Sequence, residues 1–476
     1  MFDVLVIGGG VIGATILREL VKYDLDVCML EKEQDVSMGQ SRANSGIVHA
    51  GFDAVPGTNK ARFNVLGNKM MPSYAKELGV KYKNNKSIVI ATDESEDANI
   101  VELYKRGKIN GVKRLKIINK KKLLKLEPNL TESVTSALYA KTGGIICPYT
   151  LTISAIGNAM DNGAKLLTSF EVCSIEKVKD GFKVFSKDGR EVCGKIVINC
   201  AGFGSQKIAN MVGDNTFTIG ARLGEYILLD KESGNFVSHT VFKVPSEKGK
   251  GVLVSNTVDG NVLLGPTAVV LEEYSTDTTA FGLQDVMNKA SQMFNTPPFY
   301  NTITSFAGVR AFCDKNDFII EESKVCKNFI NVAGIESPGL TASVAISKPV
   351  VKELVGKILP LHKNKRFIKK HKRINDFSNL SIAKRNKIIK KDPSFGKIVC
   401  RCEQISEGEI RQAIRQNPKA TTIDAIKRRT RAGMGRCQGG FCQIRVAEIL
   451  AEELGQDFSQ VVKSKTGASI VKGKTK

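Results

Sequence analysis

Four of the eleven cysteines in this 476-residue chain gather within a short C-terminal stretch. Cys400 and Cys402 form a C-x-C pair, and after 34 intervening residues Cys437 and Cys442 form a C-x4-C pair. Four thiolates suit zinc or an iron–sulfur cluster. Structural zinc sites usually carry C-x2-C pairs, so this spacing fits zinc less well. The sequence predicts a metal centre at these four cysteines, with zinc as the alternative.

A glycine-rich loop opens the chain and predicts a dinucleotide site. In VLVIGGGVIG, residues 4–13, Gly8 permits a tight turn, Gly10 lets the backbone approach a pyrophosphate, and Gly13 lets a helix pack close to the strand. Glu31 ends the next strand, where its carboxylate can accept hydrogen bonds from ribose hydroxyls. The predicted cofactor-binding residues here are Gly8, Gly10, Val11, Ile12, Gly13, Glu31 and Lys32.

The elements around these residues predict an α/β (α+β) chain. A strand at 3–7, a helix at 11–23 and a strand at 25–30 form a βαβ unit. A β-rich middle follows, in which a Val-Asp-Gly-Asn turn within residues 251–265 joins two alternating strands into a hairpin. We expect a discontinuous Rossmann-type domain (1–75, 145–215, 320–356) interleaved with a β-rich substrate domain (76–144, 216–319). After these come a basic linker (357–397), a small helical cysteine module (398–456) and a frayed tail (457–476).

The charge is concentrated at the C-terminal end. The formal net charge is +23, and residues 352–476 hold 30 Lys and Arg against 11 Asp and Glu. A basic surface can attract an acidic protein, anionic lipid or nucleic acid. The basic segment lacks interleaved aromatic residues, so we expect no nucleic-acid partner. No signal peptide or transmembrane run is visible, which predicts a cytoplasmic protein with peripheral membrane contact as the only membrane option.

Three further segments resemble the glycine-oxidase/D-amino-acid-oxidase-like superfamily of FAD enzymes. They are GQSRANSGIVHAGFD at 39–53, NCAGFGS at 199–205 and GIESPGLTAS at 334–343. The resemblance implies FAD, with the first segment along the pyrophosphate and flavin face and the third near the flavin ring. The residues it adds to the cofactor site are Ser41, Asn44, Ser45, Val172, Ala201, Gly202, Gly334, Gly339, Leu340 and Thr341.

A flavin enzyme that oxidises an alcohol needs a base for the hydroxyl proton and a clamp for the rest of the substrate. His49, in the flavin-facing segment, and His239, before the strand TVFKVP, are the candidate bases. Arg310, in FAGVRAF, resembles the arginine that binds the anionic substrate in the glycerol-3-phosphate dehydrogenase branch. The resemblance implies an FAD-dependent dehydrogenase that oxidises sn-glycerol 3-phosphate to dihydroxyacetone phosphate. The main alternative is an L-2-hydroxyglutarate dehydrogenase, because NSGIVHAGFD is equally similar to those enzymes and both substrates are small anionic secondary alcohols.

The cysteine module resembles the bacterioferritin-associated-ferredoxin-like (BFD-like) [2Fe–2S] domain of anaerobic glycerol-3-phosphate dehydrogenase large subunits. That resemblance implies electron transfer from FAD through the cluster to an acceptor that is either a partner redox protein or subunit or is quinone-linked. A non-catalytic electron-transfer protein is the alternative of another class. The basic linker and module are expected to dock an acidic electron acceptor or a partner subunit. Four arginines lie near the cysteines in sequence, where their positive charge would raise the potential of a nearby cluster. They are Arg428, Arg429, Arg431 and Arg436.

Overall fold

The computed structural model describes residues 1–245, 251–371, 374 and 376–473; parts of the predicted linker and tail lie outside this range. The strands are β1 (Phe2–Ile7), β2 (Val27–Leu30), β3 (Ile47–Val48), β4 (Tyr82–Lys83), β5 (Ser87–Ile90), β6 (Leu115–Asn119), β7 (Ser136–Ala140), β8 (Gly144–Ile146), β9 (Lys165–Leu167), β10 (Val172–Val178), β11 (Gly181–Ser186), β12 (Glu191–Asn199), β13 (Ile219–Leu229), β14 (Thr240–Lys243), β15 (Leu253–Asn256), β16 (Val262–Gly265), β17 (Val269–Leu271), β18 (Thr302–Cys313), β19 (Ile319–Glu322), β20 (Phe329–Ala333), β21 (Ile398–Cys400) and β22 (Ile405–Ser406).

The helices follow the same chain order. They are α1 (Val11–Leu20), α2 (Asn59–Leu78), α3 (Asp97–Ile109), α4 (Lys120–Leu126), α5 (Pro148–Asp161), α6 (Ser205–Asn210), α7 (Ala280–Met293), α8 (Gly339–Pro349), α9 (Gly356–Ile358), α10 (Ile382–Lys391), α11 (Glu407–Arg415), α12 (Ile423–Thr430) and α13 (Gln443–Leu454). In the described part of the chain, no helix is both long enough and apolar enough to cross a bilayer.

The first sheet carries the glycine loop. Strand β1 runs parallel to β2 on one side and to β12 on the other, and β9 and β20 extend the parallel set. The four buried residues of β2 and the buried end of β1 read as continuous apolar runs, as expected for parallel strands covered on both faces. Strand β12 pairs with antiparallel β11 through its first half and with β20 through its second. The predicted Rossmann-type α/β fold is confirmed.

The second sheet contains the strands of the β-rich middle of the chain. Its order is β17-β13-β16-β15-β14-β5-β7-β6, with β18 on the free side of β13. The long antiparallel pair β13–β18 places Arg222 directly opposite Arg310. The predicted hairpin within residues 251–265 is present as β15 and β16. Strands of this sheet come from two separated stretches of chain, 87–140 and 219–313, between segments of the first sheet.

The C-terminal module has a small core of its own. The hairpin β21–β22 precedes α11, whose first turn is closed by a capping box between Ser406 and Glu409. Helices α11, α12 and α13 bury apolar residues such as Ile410, Ile426 and Leu450 against one another. This core joins the two cysteine pairs, because Cys400 ends β21 and Cys442 immediately precedes α13.

Candidate active site and iron–sulfur site

A cavity of about 540 Å³ lies where the carboxyl ends of β1, β2 and β12 meet the second sheet. Ligands of open parallel sheets bind at this edge. Most predicted cofactor residues line the cavity: Gly8, Gly10, Val11, Ile12, Glu31, Lys32, Ser41, Asn44, Ser45, Val172, Ala201, Gly202, Gly339 and Leu340. The cavity is therefore formed by segments that are far apart in the sequence, as a long dinucleotide requires.

The glycine loop is too tightly packed for side chains. Gly8 has φ +109°, and a Cβ there would lie 2.5 Å from the carbonyl oxygen of Cys200. A Cβ on Gly13 would lie 2.1 Å from the carbonyl oxygen of Gly8. Gly13 does not itself line the cavity; it lets α1 start directly beneath the turn. The loop thus offers the N-terminus of α1 to a pyrophosphate.

We expect Gly13→Ala to abolish FAD retention, because the added methyl must push α1 away from Gly8. Overpacking of this kind costs about 1–3 kcal/mol and moves the backbone that the cofactor contacts. The flavin-to-protein ratio after gel filtration measures how much FAD the variant retains. Gly163→Ala is a control for protein yield, since its Cβ meets no atom within 4 Å although its positive φ adds some strain. Full flavin content in Gly13→Ala would contradict the prediction.

Glu31 is a buried carboxylate at the adenosine end of the cavity. Its Oε2 accepts a hydrogen bond from the Gly9 N–H at 2.6 Å, and its Oε1 accepts one from the Glu33 N–H at 2.9 Å. Burial nevertheless raises the pKa of Glu31 to about 7. Ribose hydroxyls would supply hydrogen bonds that this carboxylate lacks in the protein alone, which is consistent with its predicted contact.

The segment 39–53 closes one side of the cavity. The Ser41 hydroxyl accepts a hydrogen bond from the Val11 N–H at 2.8 Å, so it lies against the first turn of α1. Asn44 holds the loop by donating to the Gln40 carbonyl and accepting from the Gly46 N–H. Gln40, which the sequence analysis missed, joins this loop to β18 by accepting from the Ala311 N–H at 2.9 Å.

His49 lines the cavity beside the turn before α8, at the end where the resemblance to FAD enzymes puts the flavin ring. Its Nε2 is 3.4 Å from the Ser337 hydroxyl, and its backbone N–H donates to the Thr341 hydroxyl at 2.9 Å. Thr341 is buried and does not line the cavity; its side chain ties α8 to β3. Gly334 also lies behind the cavity wall, against Cys313. Both residues therefore shape the site without lining it.

Arg310 lines the same cavity from β18. Its Nη2 donates to the carbonyl oxygens of Thr267 at 2.7 Å and Leu223 at 3.3 Å, while its Nε is buried without a hydrogen-bond partner. Burial, reinforced by the neighbouring Arg222, lowers the pKa of Arg310. A buried guanidinium with an unsatisfied donor is a site for an anion.

The other candidate base, His239, does not line the cavity. Its ring is buried within the second sheet, where Nδ1 lies 2.5 Å from the Glu127 carboxylate and Tyr139 packs edge-on at 5.7 Å. Glu127 also accepts the His239 backbone N–H at 2.7 Å. Because the His239 ring and the Glu127 carboxylate are both buried, each supplies the hydrogen-bond partner that the other needs, which is a structural role. The structure thus brings only His49 of the two candidates to the cavity.

The four predicted cysteine ligands converge in the C-terminal module as two pairs. Cys402 Sγ lies 3.6 Å from Cys437 Sγ, and the thiols of Cys400 and Cys442 contact each other. Gly435 lies so close that a Cβ would be 2.3 Å from that of Cys402. The described residues hold no group of three or more His, Cys, Asp or Glu side chains placed around one metal ion. Two thiol pairs fit a two-iron cluster, which takes two thiolates at each iron.

Comparison with known proteins agrees with both sites. Residues 3–353 match the model of the "FAD dependent oxidoreductase" family, and residues 398–452 match the "BFD-like [2Fe-2S] binding domain". The chain belongs to the FAD-dependent oxidoreductases. Its cofactors are FAD and a [2Fe–2S] cluster, as predicted from the sequence.

Three similar proteins place this oxidoreductase more narrowly. It is 47% identical to the glycerol 3-phosphate dehydrogenase of Caloramator mitchellensis, over 100% of this chain and 99% of that protein. The solved L-alpha-glycerophosphate oxidase of Mycoplasma pneumoniae, with FAD bound, is 30% identical with a TM-score of 0.74 and covers 78% of this chain and 98% of its own. The mitochondrial L-2-hydroxyglutarate dehydrogenase of Pongo abelii is 29% identical over 74% of this chain and 87% of that protein.

The four arginines near the cysteines of this oxidoreductase form ion pairs within the protein itself. Arg428 and Arg429 both bind Asp35 (2.6 and 2.8 Å), and Arg431 binds Asp259 at 2.8 Å. Arg431 also binds Glu403, while Arg436 binds Asp230 and Glu232. The positive charges of these four arginines are therefore used in ion pairs within the protein, most of which attach the module to the body.

Proposed function

We propose that this protein oxidises sn-glycerol 3-phosphate to dihydroxyacetone phosphate. The observation that carries the proposal is Arg310, a half-buried arginine whose buried Nε has no protein partner and which lines the same cavity as His49. A phosphate can accept two parallel hydrogen bonds from a guanidinium. The full-length similarity to a glycerol 3-phosphate dehydrogenase supports the same substrate.

In this mechanism Arg310 holds the phosphate and His49 takes the proton of the secondary hydroxyl. Bound FAD supplies the acceptor for the hydride that leaves the carbinol carbon. The backbone of His49 is fixed because its carbonyl accepts from Asn64 at 2.7 Å and from Asn68 at 3.1 Å. Tyr226 stacks on Phe306 at 4.9 Å and forms an apolar wall, which excludes water from the reacting carbon.

The cluster module favours a dehydrogenase over an oxidase. The relative named a dehydrogenase covers the whole chain, module included, whereas the oxidase of known structure covers 78% of it. A flavin that accepts two electrons, coupled to a cluster that passes one electron at a time, suits electron transfer to a carrier that takes one electron. We therefore propose a one-electron carrier protein as the acceptor.

The module presents a surface suited to such a carrier. Phe441, between the ligands Cys437 and Cys442, is 90% exposed, and Cys402 is exposed as well. Because this quarter of the chain is basic, an acidic carrier would be attracted to it. We expect the rate with such a carrier to fall as salt increases from about 0.05 to 0.5 M, because screening shortens the reach of these charges. A salt-independent rate would contradict an acidic carrier.

An anaerobic assay tests the substrate. The purified protein is mixed with glycerol 3-phosphate or with L-2-hydroxyglutarate, and the flavin band near its absorption maximum is followed. We expect rapid bleaching with glycerol 3-phosphate and a much slower change with the hydroxy acid. The opposite preference would support an L-2-hydroxyglutarate dehydrogenase. Bleaching by neither, with reduction by a protein donor, would support a non-catalytic electron-transfer protein.

Arg310→Lys tests the phosphate clamp. Lysine retains the charge but loses the planar fork, so one charged hydrogen bond is lost, worth about 1.5 kcal/mol or roughly tenfold. We expect KM for glycerol 3-phosphate to rise about tenfold, with kcat nearly unchanged. Arg222→Lys is the matched control, because Arg222 binds Glu336 instead of being free for an anion. An equal effect in both variants would contradict the clamp.

A further inference from the structure

A second cavity of about 590 Å³ lies between the body of the protein and the iron–sulfur module. Cys147, Tyr149 and Thr150, at the start of α5, line it from the body. Cys402 and Arg431 line it from the module. One of the cluster ligands therefore faces, across this cavity, the residues that begin α5.

Only a thin wall separates this cavity from the flavin end of the first one. Ile47 of β3 lines the first cavity, and β3 pairs with β8 through Ile47 and Ile145. The Ile146 N–H also donates to the Gly46 carbonyl at 2.8 Å. Cys147, the next residue, lines the second cavity. Since neighbouring strands are about 4.8 Å apart, the wall is one strand pair thick.

Tyr149 lines the second cavity and also contacts the module. Its hydroxyl donates to the Met434 Sδ at 3.5 Å. On the body side, the same hydroxyl contacts the Cys147 thiol, which lies 3.0 Å from the Thr150 hydroxyl. Met434 lies next to Gly435, which packs on the Cβ of Cys402. A continuous chain of bonded and packed atoms thus runs from the flavin end of the first cavity to the cluster loop.

The module is held rigidly over this contact. Arg431 binds Asp259 of the body and Glu403 of the module, and Lys231 of the body reaches the same Glu403 at 2.7 Å. These side chains border the second cavity. The contact between Tyr149 and Met434 is therefore fixed by charged pairs on the same side of the module.

We propose that Cys147, Tyr149 and Met434 form the internal bridge by which electrons pass from the flavin to the cluster. This rests on the proposed function, which supplies two electrons to the flavin for each alcohol oxidised. One electron crosses to the cluster, and the second crosses after the cluster has been reoxidised by the one-electron carrier. Tyr149 and Met434 are positioning residues: they join the two redox sites and do not touch the substrate.

The double variant Tyr149→Phe/Met434→Leu tests the bridge, because it removes the hydroxyl–sulfur contact and preserves side-chain volume. In anaerobic stopped flow with glycerol 3-phosphate and no external acceptor, we expect flavin bleaching at the wild-type rate. Cluster reduction, followed by freeze-quench electron paramagnetic resonance, is expected to be several-fold slower. Tyr104→Phe, a partly buried tyrosine of the second sheet's domain, is the matched control and should match the wild type.

Three measurements separate the bridge from other causes. Iron content and the electron paramagnetic resonance signal after reduction with dithionite should equal those of the wild type if the cluster is intact. The rate of proteolysis of the linker should be unchanged if the module is still docked. Cluster reduction at the wild-type rate in the double variant would overturn the proposal. If glycerol 3-phosphate fails to bleach the flavin, the proposed function is wrong. The bridge can still be tested, because photoreduction of the flavin with EDTA supplies the electrons and the rate of cluster reduction in the double variant is again compared with that in the wild type.

Discussion

Flavin reduction by glycerol 3-phosphate is expected to be about 10²–10⁴-fold slower in His49→Gln, the range that a positioned general base contributes. Glutamine can still hydrogen-bond to Ser337, which lies 3.4 Å from His49 Nε2, but it cannot accept the hydroxyl proton. The backbone at this position is held by Thr341, Asn64 and Asn68, so the substitution should leave the loop in place. Anaerobic stopped flow at saturating substrate measures the effect.

A matched variant distinguishes a base from a residue that only shapes the site. Because His239 is paired with Glu127 away from the cavity, His239→Gln should affect protein stability and leave the rate of flavin reduction unchanged. A loss of rate in His49→Gln no larger than that in His239→Gln would exclude His49 as the base.

The features that the sequence predicted well are those fixed by local geometry. The glycine loop must follow a strand and open a helix, so the spacing of Gly8, Gly10 and Gly13 places them without knowledge of the rest of the fold. The hairpin at β15–β16 follows in the same way from alternation and a turn. The cysteine pairs were equally visible, because thiolates at such short spacing have few other uses.

The features that the sequence could not predict depend on contacts between distant segments. His49 and His239 look alike in sequence, and only the pairing of Glu127 with His239 shows that the latter is structural. The arginines of the module look like a partner surface until Asp35, almost 400 residues earlier, is found between two of them. Asp35 follows the dinucleotide strand, where nothing in its neighbours signals an ion pair with the C-terminal module.

Asp35→Ala is expected to lower the free energy of unfolding by about 3–5 kcal/mol, because it strands two buried guanidiniums. Asp35 is 3% exposed and Arg428 is 6% exposed. Burial alone would raise the pKa of Asp35, yet Arg429 and Arg428 together hold it at about 2. Since the folded pKa is lowered, the stabilisation is full above the ordinary value near 3.8 and is lost as pH falls toward 2. Calorimetry and tryptic cleavage of the 357–397 linker measure the loss.

Arg436→Gln is the matched control, because Arg436 is 59% exposed and its solvent-screened pairs with Asp230 and Glu232 should contribute little to stability. The triple variant Asp35→Ala/Arg428→Met/Arg429→Met gives the sharper comparison. It removes the stranded charges together with their partner, so it should be more stable than Asp35→Ala alone. If Arg428→Met and Arg429→Met instead destabilise the protein further, the two arginines hold the module through the packing of their aliphatic side-chain carbons. The charge of Asp35 is then not what holds the cluster module against the flavin domain.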